Sequence, residues 1–105
     1  MNSGFFKIYF DEILCIETYN RNTLVHTLNE DILSYKNMKQ HMARLNSSFI
    51  RCHNSYIVNF KAIIGIKNDV ITLEDLTTLN ISRSKRKIFH SRFADYLGGK
   101  YKRNR

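Results

Sequence analysis

A chain of 105 residues has room for one domain with a modest core, and 43% hydrophobic with 12% aromatic residues is enough to fill it, which excludes wholesale disorder. No run approaches the roughly 18 apolar residues of a membrane span, and residues 1–15 lack the basic start and long apolar stretch of a signal peptide, so a soluble cytoplasmic protein is expected. The net charge of +8 is unevenly placed: Met1 to Ile81 carries eight Lys/Arg against eight Asp/Glu, whereas Ser82 to Arg105 carries nine bases and one acid, Asp95. Such a block calls either for a polyanionic partner, of which nucleic acid is the commonest, or for a solvated tail.

In chain order, Phe5 to Phe10 alternates, with Phe6, Ile8 and Phe10 on one face, and reads as a strand. Ile13 to Thr18 and Thr23 to Leu28 are further β-prone runs, separated by the polar loop Tyr19-Asn20-Arg21-Asn22. Ile32 to Tyr35 reads as a short strand. Tyr35, Met38, Met42 and Leu45 then recur at helical spacing, so a core-facing helix is predicted from Lys36 to Leu45. Phe49 to Asn59 mixes apolar and polar residues. Ala62 to Lys67 and Val70 to Leu73 flank Asn68-Asp69, a good hairpin pair. Thr77 to Ile81 is a last strand after a turn at Glu74-Asp75. Ile88, Phe89, Phe93, Tyr96 and Leu97 fit one face of a helix over Arg83 to Leu97, with Ser82 as cap and Gly98-Gly99 as stop. The residues from Gly98 to Arg105 are expected to form a basic tail that frays. Neither a repeat nor a linker interrupts residues 1–105, so a single domain is predicted.

Catalytic constellations do not assemble in this sequence. His26, His41, His53 and His90 are scattered without metal-ligand spacing, so neither a metal site nor another cofactor is expected. Gly4, Gly65, Gly98 and Gly99 form no phosphate loop. Cys15 and Cys52 are expected as free thiols. Cys52 is of interest as a redox-sensitive thiol, with an inert buried thiol as the plainer reading. A non-enzymatic role follows.

The string Phe49-Ile50-Arg51-Cys52-His53-Asn54-Ser55-Tyr56-Ile57-Val58-Asn59 resembles the central signature of LytTR domains, the output modules of bacterial response regulators such as the accessory gene regulator type. Leu79-Asn80-Ile81-Ser82-Arg83-Ser84 is similar to that family's closing strand and its entry to the last helix. Glu12-Ile13-Leu14-Cys15-Ile16-Glu17 resembles its opening strand. Together the likeness spans residues 5–97.

The resemblance implies a mostly β fold: an elongated multi-sheet arrangement of short strands with one internal and one C-terminal helix. It also implies sequence-specific binding of double-stranded DNA by inter-strand loops in successive major grooves, where every base pair shows a distinguishable edge. Asn54 falls where the family places a base- or backbone-contacting polar residue, with a turn-stabilising asparagine as the alternative. His53 is expected to be buried and hydrogen-bonded. Asn20, Arg21 and Asn22 fall in the family's first contacting loop. That loop is shorter by a residue than in some relatives, which leaves the base-reading match open between Arg21 and Asn22. Arg83, Ser84 and Lys85 fall at the second loop; an Arg can engage guanine, while Lys85, Arg86 and Lys87 suit phosphate. Arg51 and Lys61 are further phosphate candidates. The family context implies a receiver domain upstream in a full-length protein, no membrane association, and a monomer in isolation that occupies paired direct repeats. The alternatives are an RNA-binding basic β protein that stacks bases on aromatic rings, and a protein-interaction module with an incidental basic tail.

Overall fold

β-Branched and aromatic runs, interrupted by Asn, Asp and Ser, fold into eight short strands among residues 7–100, which the computed structural model describes (side chains through residue 98). The strands are β1 (Ile13–Tyr19), β2 (Asn22–Thr27), β3 (Asp31–Ser34), β4 (Phe49–His53), β5 (Tyr56–Asn59), β6 (Ile63–Lys67), β7 (Val70–Leu73) and β8 (Thr78–Asn80). Helix α1 (Met38–Arg44) lies between β3 and β4, and α2 (Arg86–Lys100) closes the described chain. Two antiparallel sheets result, one ordered β3-β2-β1-β5-β4 and the other β6-β7-β8. The described molecule measures 51 × 27 × 26 Å, so the expected mostly β, elongated, multi-sheet arrangement with one internal and one C-terminal helix is what the chain adopts, with two sheets.

The larger sheet separates two apolar clusters. On one face Ile13, Ile16, Val25, Phe49 and Ile57 pack with Met38 of α1. On the other, Leu14, Cys15, Ile50, Cys52 and Val58 meet Ile71, Leu73 and Leu79 of the smaller sheet and Phe89 of α2. A strict period of two would not place both Leu14 and Cys15 on the same side. The register shift between Ile13 and Cys15 does so, since a bulge adds a residue to one strand of a pair. Phe60 anchors α2, with its ring 5.8 Å from that of Phe89, 5.4 Å from Phe93 and 5.3 Å from Tyr96.

Several expectations are corrected. The strand over Phe5 to Phe10 does not form in its described part, residues 7–10; Phe5 and Phe6 lie outside the described residues. Phe10–Glu12 is instead a 3₁₀ turn, closed by Glu12 N–H donating to Tyr9 O and by Tyr9 N–H donating to Glu12 Oε1, both at 2.9 Å. Phe49 to Asn59, where alternation is not clean, folds into two strands, β4 and β5. Helix α1 begins later than Lys36 because Asn37 caps it: Asn37 Oδ1 accepts from Gln40 N–H and Gln40 Oε1 accepts from Asn37 N–H, each at 2.8 Å. Tyr35 is therefore left outside the helix and is 80% exposed.

The last helix departs similarly. Arg83–Lys85 is a 3₁₀ turn ahead of α2. Buried Phe89 and half-buried Phe93 and Tyr96 form the inward stripe, which turns Ile88 away by about 100° and leaves it 64% exposed. Ser82 makes no side-chain cap bond; its Oγ is buried without a partner. Gly98 and Gly99 do not stop the helix, which runs through Lys100. A helical glycine costs about 1 kcal/mol relative to alanine but does not by itself end a helix. The rest of the expected tail lies outside the described residues.

Candidate nucleic-acid interface

The β1–β2 connection is tighter than the four-residue loop read from the sequence. Tyr19 pairs with Asn22, so only Asn20 and Arg21 turn the chain, with φ of 47° and 69°. Two successive left-handed residues make a type I′ turn, in which Asn suits the first position and Gly the second. Arg21 holds that second position although a non-glycine residue there costs roughly 1–2 kcal/mol. Backbone strain of this kind concentrates at functional sites. The Arg21 side chain is exposed and, among the described residues, makes neither hydrogen bond nor ion pair.

A second turn lies beside the first. Glu17 pairs with Tyr56 across β1 and β5, and Thr18 N–H donates to Ser55 O at 3.0 Å. The sharp His53–Tyr56 connection therefore sits at the same end of the sheet as Asn20-Arg21. Asn54 is exposed at its apex, and its side chain is engaged by no described residue. The turn-stabilising role belongs instead to His53, whose Nδ1 accepts from Ser55 N–H at 3.0 Å. His53 is only half-buried, a correction to the buried histidine expected, because β4 ends there and the ring lies along the turn against Tyr56.

The third segment is fastened to the same end. Ser82 N–H donates to Cys52 O at 2.9 Å, which places Arg83, Ser84 and Lys85 against the outer edge of β4. Arg83, Ser84 and Lys87 are exposed and Lys85 half-buried. Arg86 is not free for a ligand: its Nε lies 3.0 Å from Asp69 Oδ2, while His90 Nε2 lies 2.8 Å from Asp69 Oδ1. Asp69 thus ties the left-handed Asn68-Asp69 turn to α2.

Arg51 joins the three segments. It donates to Asn54 O, and it lines two adjoining grooves. One groove holds Arg21, Asn22, Asn37 and Lys39, and the other Ser84, Lys85 and Arg92. Neither groove is lined by an Asp or Glu. Acidic groups collect elsewhere, with Glu17 and Asp75 in a cleft between the two sheets. Grooves lined by several cations and by no carboxylate are electrostatically suited to a polyanion. Lys61 is not part of it, since its Nζ pairs with Asp11 at 2.7 Å.

Cys15 and Cys52 are buried free thiols, and burial, foremost among the causes, pushes each up to about 12. Such thiols hold almost no nucleophilic thiolate near neutrality. Among the described residues no group of three or more His, Cys, Asp or Glu could hold a metal ion, and no helix is long and apolar enough to cross a membrane.

The family model described as the LytTr DNA-binding domain matches residues 3–94. The chain belongs to the LytTR family. This is a family of DNA-binding domains and not of enzymes. In fold, the LytTR chain is similar to the solved LytTr DNA-binding domain of a methyl-accepting/DNA response regulator from Bacillus cereus. The TM-score is 0.80 at 21% identity, over 88% of this chain and 90% of that one. In sequence it is similar to accessory gene regulator protein A from two strains of Staphylococcus epidermidis, 35% identical over 54 residues. That alignment covers 50% of this chain and 22% of each relative, so the chain spans only a fraction of their length.

Against the LytTR background, the sequence-derived candidates Asn20, Arg21, Asn22, Asn54, Arg83, Ser84 and Lys85 come from three segments that direct hydrogen bonds tie to one end of the larger sheet, with Lys87 just inside α2. Arg51, a secondary phosphate candidate in the sequence, and Lys39, no candidate there, also line these grooves. The alternation signal that would have located Arg51 is broken by the register shift between Arg51 and His53. Lys39 sits on a helix read only for its apolar stripe.

Proposed function

We propose that this end of the larger sheet is the duplex-binding face. The Asn20-Arg21 turn, the Asn54 turn and the Arg83–Lys85 turn enter successive major grooves and read base edges. The observation that carries this reading is the convergence of three exposed polar segments on Arg51, in two grooves free of carboxylates. Arg21 and Arg83 suit guanine edges, Asn54 an adenine edge, and Asn20, Asn22 and Ser84 complete the polar reading set. Lys85 and Lys87, aided by Lys39, meet phosphate, where point charges position the protein without reading sequence.

The domain regulates transcription as the output part of a two-component response regulator in the cytoplasm, with a receiver domain elsewhere in the full-length protein. The relatives named as accessory gene regulators, longer than this chain, support that setting. It is a monomer alone and occupies paired direct repeats as two copies. Selection from random duplexes, followed by titration at several salt concentrations, tests the reading. A defined repeat should emerge. Arg21→Ala, Asn54→Ala and Arg83→Ala should each lose about 1–3 kcal/mol of discrimination at one base pair, while Lys87→Ala weakens all sequences alike. Binding that is weak, steeply salt-dependent and indifferent to sequence would overturn base reading.

A further inference from the structure

His26 is held by two carboxylates at once. Its Nδ1 lies 2.6 Å from Asp31 Oδ1 and its Nε2 lies 2.6 Å from Glu17 Oε1. A carboxylate only accepts, so both bonds require a proton on each ring nitrogen, which is the imidazolium. Glu17 stands on β1, His26 on β2 and Asp31 on β3, so one side chain bridges three strands. From the packed elements, the titratable groups around His26 are Cys15 and Glu17 on β1, Asp31 on β3, Tyr56 on β5 and Asp75 in the β7–β8 turn. Burial is the largest single influence on His26 and disfavours its charge. The hydrogen bonds and charges of Asp31 and Glu17 together outweigh it, and the histidine stands above its usual value.

The strand so bridged leads to the basic grooves. β3 is a four-residue edge strand paired only with β2. Its far end is pinned by Thr23 Oγ1, which donates to Lys36 O at 2.9 Å. The next residue, Asn37, caps α1, and Lys39 lines the groove that it shares with Arg21 and Arg51. The His26–Asp31 bond is the corresponding pin at the start of the strand. An edge strand this short has few backbone bonds, so its side-chain pins, His26–Asp31 beside the Thr27–Glu30 bonds at one end and Thr23 at the other, weigh heavily on its order.

We propose that His26, as an imidazolium clamped between Glu17 and Asp31, is a positioning residue of the DNA-binding face: it fixes β3, and through β3 the Lys36–Lys39 approach, so that loss of its proton loosens this edge and weakens duplex binding. The clamp is independent of the proposed function, and its effect on DNA rests on that reading. The test uses the whole chain between about pH 6 and pH 9, the range in which histidine charge changes. Imidazole ¹⁵N shifts report the state of His26, and a selected duplex reports affinity for wild type, Asp31→Asn, His26→Gln and Arg21→Ala.

At neutral pH both nitrogens of His26 should carry protons, and its titration should lie above the ordinary histidine range. Wild-type affinity should fall roughly fivefold across that titration, the low end for linked sites. Asp31→Asn and His26→Gln should bind more weakly at neutral pH and lose the His26-linked part of the fall. A neutral His26 at pH 7 overturns the clamp. A charged His26 with affinity that ignores its titration overturns the positioning role. Full affinity in Arg21→Ala shows instead that the assigned DNA face is wrong, and the positioning role falls with it even where the ¹⁵N shifts show an intact clamp.

Discussion

Thr18 N–H donates to Ser55 O across 3.0 Å, and this bond makes two turns from distant parts of the chain into one rigid end. The Asn20-Arg21 turn extends β1 and β2 beyond that bond, and the Asn54 turn caps β4 and β5 beside it. Binding loops built on paired strands lose little conformational freedom when they meet a ligand. Arg51, donating to Asn54 O, then carries the same frame toward Arg83–Lys85.

Arg51 should therefore matter more for DNA binding than a cation that only touches phosphate. Arg51→Ala should lower specific affinity by about 2 kcal/mol, because it removes a charge-assisted bond that shapes the Asn54 turn. Arg51→Lys should recover little of it, since an ammonium lacks the planar guanidinium that donates to Asn54 O. Titration of the selected duplex measures both, and full rescue by lysine would assign Arg51 a purely electrostatic part.

Asn59 is the buried polar tie between the strands and the chain's entry. Its Nδ2 donates to Ile13 O at 2.9 Å and to Phe10 O at 3.3 Å, and its Oδ1 accepts from Lys61 N–H at 3.0 Å. Asn59→Ala strands those backbone groups in a buried place, and urea unfolding should show a loss of about 2–3 kcal/mol. A loss below roughly 0.5 kcal/mol, the level of ordinary surface changes, would show that water replaces the amide.

Leu76 carries strain that the fold does not need. It is 72% exposed and has φ of 72°, a left-handed backbone in which a Cβ costs roughly 1–2 kcal/mol. Glycine removes that cost and returns part of it as entropy of the unfolded chain. Leu76→Gly should raise stability by about 0.5–1 kcal/mol. A lower melting temperature would mean that the exposed leucine makes a contact in solution.

His41 sets the acid limit of α1. Its Nε2 lies 2.8 Å from Thr23 Oγ1, and burial, with Lys36 nearby, holds its pKa below the usual histidine value. Below about pH 6.5 the unfolded chain takes up a proton there that the folded chain refuses, so stability falls as pH drops through that value. His26 has the opposite sign: its folded pKa is raised, so its contribution is complete below about pH 6.5 and is lost as pH rises through the folded value. His41→Gln should flatten the acid side of the stability profile and leave the alkaline side unchanged. An acid side as steep as wild type would place the proton elsewhere.

Much of this fold is legible in the sequence because its strands are short, β-branched and separated by Asn or Asp turns. Asn68-Asp69 turns as read, and β1, β2, β3, β6, β7 and β8 fall within a few residues of the runs that suggested them. What escaped depends on tertiary partners. Phe10 alternates with its neighbours yet joins a 3₁₀ turn, because its ring packs on Phe49 and its carbonyl is gripped by Asn59. Ile88 matches the helical stripe of α2, but the core admits Phe89. The candidate site residues were suggested only by a resemblance. Their convergence depends on bonds such as Ser82 N–H to Cys52 O, between residues 30 apart, which no local pattern encodes.

The proposed DNA contact lies at one end of the larger sheet. The most direct measurement is a map of backbone amide shifts during titration with the selected duplex. The largest changes should fall on Tyr19–Asn22, His53–Ser55 and Ser82–Lys87, with little change in β6 and β7. Changes concentrated on the smaller sheet, or confined to the basic residues after Gly98 alone, would contradict it.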